Sequence, residues 1–145
     1  MATGLTGEYQ HALDAGGRVA LPARFRDAFK DEVVLVRLFE PCVNIYTPEG
    51  WEHLRGRLQG LDTFQSAART MQRLLLSRAF TVEPDRQGRV LVPQALRDGA
   101  TLGANQPVTV LGVNDHLELW NPDLWAQERS RWEAQLSELA EQISG

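Results

Sequence analysis

Cysteine is almost absent from this sequence, which contains only Cys42. A single cysteine excludes a disulfide within the chain and is typical of proteins from a reducing cytoplasm. No apolar run approaches the roughly 18 residues that a membrane-spanning helix needs. Residues 1–9 lack the basic and then apolar pattern of a signal peptide. We therefore expect a cytoplasmic protein that makes no membrane contact.

The sequence also lacks the motifs of common catalytic and cofactor sites. It has no phosphate-binding loop and no dinucleotide-binding fingerprint. Its histidines (His11, His53 and His116) are scattered and form no metal-ligand spacing with Cys42. We therefore predict no catalytic residue, metal, cofactor or small-molecule substrate, and expect that the protein is not an enzyme. A small barrel-type enzyme is the weaker alternative, because the sequence nominates no pocket for it.

Lysine is nearly absent too, since Lys30 is the only one among 15 cationic residues. The net charge is −4, which argues mildly against nucleic acid as a partner. The acidity is concentrated at the end of the chain, where residues 101–145 carry two arginines and seven acids. Residues 51–100 instead carry eight arginines and five acids. Because arginine presents a planar fork to phosphate and guanine, this distribution leaves nucleic-acid binding open.

The chain contains an internal repeat. Residues 14–27 and 85–98 are identical at seven of fourteen aligned positions. A second match pairs residues 43–51 with 117–125, and the second copy carries three extra residues between the two matches. Two matches in the same order indicate a duplication. The identical pairs are Asp14/Asp85, Gly17/Gly88, Arg18/Arg89, Val19/Val90, Pro22/Pro93, Arg26/Arg97 and Asp27/Asp98.

Each copy predicts a strand, a tight turn, a strand, a short helix, two further strands and a longer helix. The helix-initiating pairs Thr47-Pro48 and Asn121-Pro122 place a capping residue before a proline. Between the copies, Asp62 is expected to cap a connecting helix whose apolar stripe begins at Phe64. A single last helix is expected to carry the stripe Leu124, Trp125, Trp132, Leu136, Leu139 and Ile143. The fold class is predicted to be α+β, with strands of both copies sharing one barrel.

The Asp-x-x-Gly-Arg turn is the main candidate for function. A rigid hairpin could present the arginine to a phosphate pair or to a guanine edge. Alternatively, Asp14–Arg18 and Asp85–Arg89 are internal pairs that only stiffen the hairpins, and the two copies could differ. The neighbouring Arg24, Arg26, Arg86 and Arg97 could widen a basic patch, although any one of them could be an ordinary surface residue.

A second arginine cluster comprises Arg55, Arg57, Arg69, Arg73 and Arg78. Arg69 and Arg73 lie four residues apart, so they share one face of the predicted connecting helix. This pattern is most often the solvated side of a helix. Contact with another subunit is the alternative.

The segments Gly7–Asp14 and Arg18–Arg26 strongly resemble the start of MraZ proteins, and Asp85–Pro93 resembles the second motif of that family. The resemblance covers nearly the whole chain. It implies a bacterial transcriptional regulator built from two tandem AbrB-like β-hairpin modules that share a pseudo-two-fold β-barrel with flanking helices. The implied domains are a first module at 1–61, a connecting helix at 62–78 and a second module at 79–145.

The resemblance also implies partners. Family members assemble into ring-shaped homo-oligomers and bind short repeated boxes in double-stranded DNA, upstream of the division and cell-wall gene cluster. We therefore expect a cytoplasmic, nucleoid-associated protein. The family's DNA-contacting arginine falls on Arg18, and Arg89 is its counterpart in the second copy. The candidate DNA-binding residues are Asp14, Gly17 and Arg18, together with His11, Arg24, Arg86, Gly88 and Arg89.

Two positions depart from the family pattern. Gly16 stands where the family usually has lysine, which removes one expected phosphate contact, and Pro84 is unusual before the second aspartate. The main rival function is a protein-interaction module that acts as the antitoxin-like partner of another protein, because swapped-hairpin domains serve there as well. A mobility shift on the protein's own upstream DNA would separate the two functions.

Overall fold

The two copies of the repeat fold into one mixed α+β structure, which is a computed structural model. It describes residues 4–144, without the side chain of Ser144. Residues 1–3 and 145 therefore lie outside the described residues. They include part of the segment interpreted as lacking a signal peptide, and the outer ends of the two predicted modules. Within residues 4–144, every helix is too short or too polar to cross a membrane.

The strands include two runs rich in β-branched residues, at 33–36 and 107–113. In residues 4–144 there are eight: β1 (Glu8–Ala12), β2 (Arg18–Ala20), β3 (Val33–Val36), β4 (Val43–Tyr46), β5 (Ala79–Val82), β6 (Arg89–Leu91), β7 (Pro107–Val113) and β8 (His116–Trp120). Six of them form an antiparallel sheet in the order β1-β7-β8-β4-β3-β5, while β2 and β6 form a separate two-stranded sheet.

Strands of the two copies pair with each other. The first strand of copy one, β1, lies against β7 of copy two, and β5 lies against β3 in return. The two-stranded sheet also joins the copies, since Val19 of β2 faces Val90 of β6. Neither copy can therefore complete its sheet alone. Closure of these sheets into a barrel stays a prediction.

Two helices begin where their capping residues predict. Thr47 Oγ1 accepts a hydrogen bond from the N–H of Gly50 at 3.1 Å, and Asn121 Oδ1 accepts two from the first turn of its helix. A short 3₁₀ turn, Ala23–Phe25, follows Pro22. The α-helices are α1 (Pro48–Gln59), α2 (Ser66–Leu76), α3 (Gln94–Ala100), α4 (Pro122–Glu133) and α5 (Leu136–Ser144).

Two expectations for the helices are wrong in detail. Asp62 does not cap α2, because its carboxylate accepts from the N–H of Phe64 in a preceding turn, and Gln65 stands at the N-cap. The last helix is divided at residues 134–135, although that segment contains no glycine or proline. Residues of α4 and α5 line a shared groove, and Leu136, Leu139 and Ile143 of α5 are exposed.

The larger of two buried hydrophobic clusters in residues 4–144 includes residues of both copies. Phe25 and Leu96 are buried at matched positions, as are Val19 and Val90. Replacing a buried phenylalanine by alanine typically costs about 3–5 kcal/mol. The core therefore holds the two turns at fixed positions relative to each other.

Candidate nucleic-acid interface

The first turn is built around the side chain of Asp14. Its Oδ1 accepts hydrogen bonds from the backbone N–H groups of Gly16, at 2.9 Å, and Arg18, at 2.8 Å. The backbone N–H of Asp14 donates to the carbonyl oxygen of Arg18 at 2.9 Å. Gly17 has a φ of +81°, which a residue with a Cβ adopts only with strain. These contacts fix the backbone from which Arg18 projects.

The second turn has the same backbone structure. Oδ1 of Asp85 accepts from the N–H groups of Gln87 and Arg89, both at 2.9 Å, and Gly88 has a φ of +76°. The repeat in the sequence is therefore a repeat of one local structure.

The arginine side chains of the two turns differ. Arg89 Nε donates to Asp85 Oδ2 at 2.8 Å, and its Nη1 donates to Asp14 Oδ2 of the other turn at 3.1 Å. Arg18, in contrast, forms no ion pair with any carboxylate in residues 4–144. The internal-pair alternative thus describes Arg89 but not Arg18.

Both aspartates are ionised in these surroundings. The hydrogen bond from the Arg18 N–H is the main cause that holds the pKa of Asp14 below its usual value, and the charge of Arg89 adds to it. The pKa of Asp85 is lowered mainly by the N–H of Arg89 and then by its side chain. Each turn therefore contains a carboxylate charge, and Arg89 contacts both of them.

Each turn is also covered by an arginine from the opposite copy. Arg97 donates from Nε to the carbonyl of Val92 at 3.0 Å and lies across Gly17, where a Cβ would approach its Nε to 2.8 Å. Arg26 makes the matching Nε bond to Leu21 and lies nearer to Gly88 than to its own turn. The sequence named both residues as patch candidates but could not show that they cross between copies, because that depends on the fold.

The longer loop of the second copy is hydrogen-bonded to the first turn. The backbone N–H of Asn105 donates to the carbonyl of Asp14 at 3.2 Å, and the N–H of Leu13 donates to the carbonyl of Gln106 at 2.9 Å. Residues of the loop between α3 and β7 therefore support the turn that carries Arg18.

The remaining predicted residues lie around the turns. His11 is half-buried on β1 opposite Val108. Arg24 donates from Nη1 to the hydroxyl of Tyr9 at 2.9 Å and lies over the Phe25 ring. Arg86 is exposed at the tip of the second turn. Among the described residues, no group of three or more histidine, cysteine, aspartate or glutamate side chains is arranged to hold a metal ion.

A family model described as "MraZ protein, putative antitoxin-like" matches this chain twice, over residues 5–74 and 75–144. The chain belongs to the MraZ family. Curated members are named transcriptional regulators. Those of Roseiflexus castenholzii and Thermomicrobium roseum are 39% and 36% identical over 138 residues, with 95% of this chain covered and 95% and 96% of theirs. That of Bifidobacterium longum is 40% identical over 139 residues, covering 96% of this chain and 91% of its own.

The resemblance in the sequence is thus confirmed. A protein of Pyrococcus horikoshii with a known solution structure covers 81% of this chain and 99% of its own at 18% identity. Its TM-score of 0.36 is too low to define the fold.

Gly16, which the sequence suggests is unusual for the family, has a structural consequence. A Cβ at this position would lie 2.8 Å from Nη1 of Arg18. Any side chain there would therefore displace the guanidinium from its present position over the turn. Glycine carries no charge at this position, and it leaves room for the Arg18 side chain.

Proposed function

We propose that this chain is a sequence-specific, DNA-binding transcriptional regulator that reads DNA through the turn carrying Arg18. The observation that carries the proposal is the contrast between a fixed backbone and an uncommitted guanidinium. Asp14 holds the turn through 2.8 and 2.9 Å hydrogen bonds, while no carboxylate of the described residues pairs with Arg18. A guanidinium presented in this way can form forked hydrogen bonds to phosphate or to guanine.

One such turn makes few contacts with DNA. Affinity from one or two arginines is modest and falls steeply with salt, because binding releases counterions from the phosphates. We therefore propose that the protein acts on short direct repeats, at the promoter of the division and cell-wall gene cluster, where several turns bind at once. Linked binding of this kind raises avidity by roughly 10²–10⁴.

Several copies of the chain would supply these turns, assembled as a ring. Two surfaces from different parts of the chain support this assembly. Phe64, which precedes α2, is 94% exposed and Leu74 is exposed on α2, while Leu136 and Ile143 are exposed on α5, with Ile143 at 89%. Head-to-tail contact between unlike surfaces closes a ring when the rotation permits.

We also propose a pseudo-two-fold relation between the modules, within the predicted barrel. The reciprocal pairing of β1 with β7 and of β5 with β3 supports it, as does the facing of Val19 and Val90 in the two-stranded sheet. The modules at 1–61 and 79–145, joined by 62–78, would then each place one turn at the same end. Binding to chromosomal DNA implies a cytoplasmic, nucleoid-associated protein.

A binding assay on the protein's own upstream DNA tests the proposed function. We expect the wild-type protein to shift that fragment and Arg18→Ala to abolish the shift, with the assembly unchanged by size-exclusion chromatography. Arg57→Ala, which removes the same charge from an exposed position on α1, is the matched control and is expected to bind as wild type. Retention of the wild-type shift by Arg18→Ala would exclude this turn as the DNA contact.

A protein-binding module is the second candidate, and the family's antitoxin-like description favours it. In that case the exposed apolar surfaces of α2 and α5 would bind a different protein. If no fragment of the upstream DNA binds while a co-purified partner occupies these surfaces, this second function replaces the first. The curated relatives are named regulators, so neither candidate involves catalysis.

A further inference from the structure

The side chain of Arg97 occupies an unexpected position for a residue of α3. It lies across Gly17 in the turn of the other copy, with Nε, Cζ and Nη2 at 2.8, 2.9 and 3.1 Å from where a Cβ would be. Gly17 is therefore needed both for its positive φ and for the space that Arg97 fills. The carbonyl of Gly17 also accepts from the N–H of Val92 at 2.9 Å, which joins the two segments directly.

Arg97 keeps most of its binding capacity. Its Nε is bonded to the Val92 carbonyl, which holds the guanidinium plane in place. The two terminal nitrogens make no hydrogen bond or ion pair within residues 4–144. A guanidinium has five N–H donors, so four remain for a ligand.

Two uncommitted guanidinium groups thus lie on neighbouring glycines of one turn. Arg18 lies over Gly16, and Arg97 lies over Gly17. The Asp14 carboxylate of the same turn is already paired with Arg89 at 3.1 Å. The first turn therefore presents two cations whose charges are not neutralised by direct pairing.

The second turn lacks this arrangement. Arg89 is paired with Asp85 and Asp14, and Arg26, the counterpart of Arg97, is more distant from Gly88, with its closest atom at 3.7 Å from a hypothetical Cβ. The duplicated turns are consequently different in charge, although their backbones match.

We propose that the DNA-binding tip is composite, with Arg18 from the first copy and Arg97 from the second copy both contacting the phosphate backbone of double-stranded DNA. This inference rests on the proposed function and adds a second contact residue to it. It also assigns Arg89 to positioning: by holding the Asp14 carboxylate, Arg89 keeps that charge from pairing with Arg18. In this proposal the first turn binds DNA, and the second turn has a structural role.

The test compares two matched variants of the full-length protein, Arg97→Gln and Arg26→Gln. Each removes one guanidinium that is bonded through Nε to a backbone carbonyl. Binding to the upstream DNA is measured by fluorescence anisotropy at several NaCl concentrations. We expect Arg97→Gln to weaken binding roughly tenfold or more and to reduce the salt slope by about one for each bound turn. Arg26→Gln is expected to retain the wild-type affinity and slope.

A second measurement on the wild-type protein covers the case in which Arg97→Gln does not fold. Arginines are modified with phenylglyoxal, with and without the upstream DNA, and the products are identified by mass spectrometry. We expect DNA to protect Arg18 and Arg97 and to leave the modification of Arg26 unchanged.

The outcomes separate the two proposals. Wild-type affinity and slope for Arg97→Gln, or equal modification of Arg97 with and without DNA, overturns the composite tip while wild-type binding preserves the proposed function. Failure of the wild-type protein to bind any upstream fragment overturns both.

Discussion

Arg18 and Arg89 are the same residue at matched positions of one repeated turn, yet their side chains have different surroundings. The difference arises from Asp14, whose Oδ1 binds the Arg18 backbone while its Oδ2 binds the Arg89 side chain. Asp85 has no reciprocal contact with Arg18, since both of its oxygens bind its own turn. One asymmetric contact between copies therefore distinguishes the turns.

Replacing Arg89 tests this asymmetry. Arg89→Ala is expected to lower the melting temperature by on the order of a few degrees, because two carboxylates lose their partner at a half-exposed site. The loss is expected to shrink as NaCl is added, since salt screens exposed pairs. Thermal unfolding followed by circular dichroism measures both effects, with Arg86→Ala in the same turn as the control.

The DNA affinity of Arg89→Ala should fall as well, because Asp14 is then free to pair with Arg18. The salt slope should stay near that of wild type, since no phosphate contact is lost. A slope reduced as strongly as in Arg97→Gln would mean that Arg89 contacts DNA directly.

The sequence predicts the turns well because their structure is local. The Asp and Gly that a turn needs lie within a few residues of each other, and the repeat displays them twice. The placement of Arg97 and Arg26 over the opposite turns could not be predicted, because it follows from the pairing of β2 with β6 across some 70 residues. The set of eight candidate DNA-binding residues likewise stays a prediction.

At the scale of elements, starts of helices are better marked than their ends. Thr47-Pro48 and Asn121-Pro122 begin α1 and α4 as predicted, because a side-chain cap and a proline act locally. The division between α4 and α5 carries no such signal. Half of the apolar stripe predicted for the connecting helix is exposed, which periodicity alone does not reveal.

The hairpin of β7 and β8 contains a charged cluster that stabilises it. His116 bonds Asp115 through Nδ1 at 2.8 Å and Glu118 through Nε2 at 3.0 Å, and its ring stacks on Tyr46. Both partners are acceptors, and a neutral imidazole has only one N–H, so the ring is protonated when both bonds form. Glu118 also accepts from the indole of Trp120 at 2.9 Å.

The stability of this hairpin should depend on pH. Burial lowers the pKa of His116, but the hydrogen bonds and charges of Glu118 and Asp115 outweigh it, so the pKa is raised above 6.5. The stabilisation is then fully present below about pH 6.5 and is lost as the pH rises through the higher pKa of the folded state. Urea unfolding at a series of pH values measures it.

The variant His116→Gln separates the contribution of this residue from that of the rest of the chain. The difference in unfolding free energy between wild type and His116→Gln is expected to decrease as the pH rises above 6.5. A difference independent of pH between about 5.5 and 9 would contradict a protonated His116. Below that range, Glu118 contributes in the opposite sense. Burial raises its pKa, but the bonds from His116 and Trp120 hold it below 4.5, so its stabilisation is lost in acid.

At the scale of the whole molecule, an acidic protein with a basic tip needs several tips to bind DNA well. The net charge of −4 repels DNA overall, while Arg18 and Arg97 act over short distances at one turn. Assembly multiplies the tips without changing any one of them. In the proposed ring, the exposed apolar residues of α2 and α5 would determine how many turns a DNA fragment meets.

Ile143→Asp tests this dependence, because it places a charge on the exposed apolar face of α5 without affecting the core. We expect the assembly to dissociate, as measured by light scattering after size-exclusion chromatography. Affinity for a fragment with several repeats should fall by roughly 10²–10⁴, while affinity for a single repeat should stay unchanged, since each turn is intact. Gln142→Asp adds the same charge to the neighbouring exposed position and should leave the assembly whole. The contrary outcome is dissociation of the Ile143→Asp assembly while the variant still binds the repeated fragment as tightly as wild type. In that case avidity does not explain the affinity, and a single pair of turns must supply it.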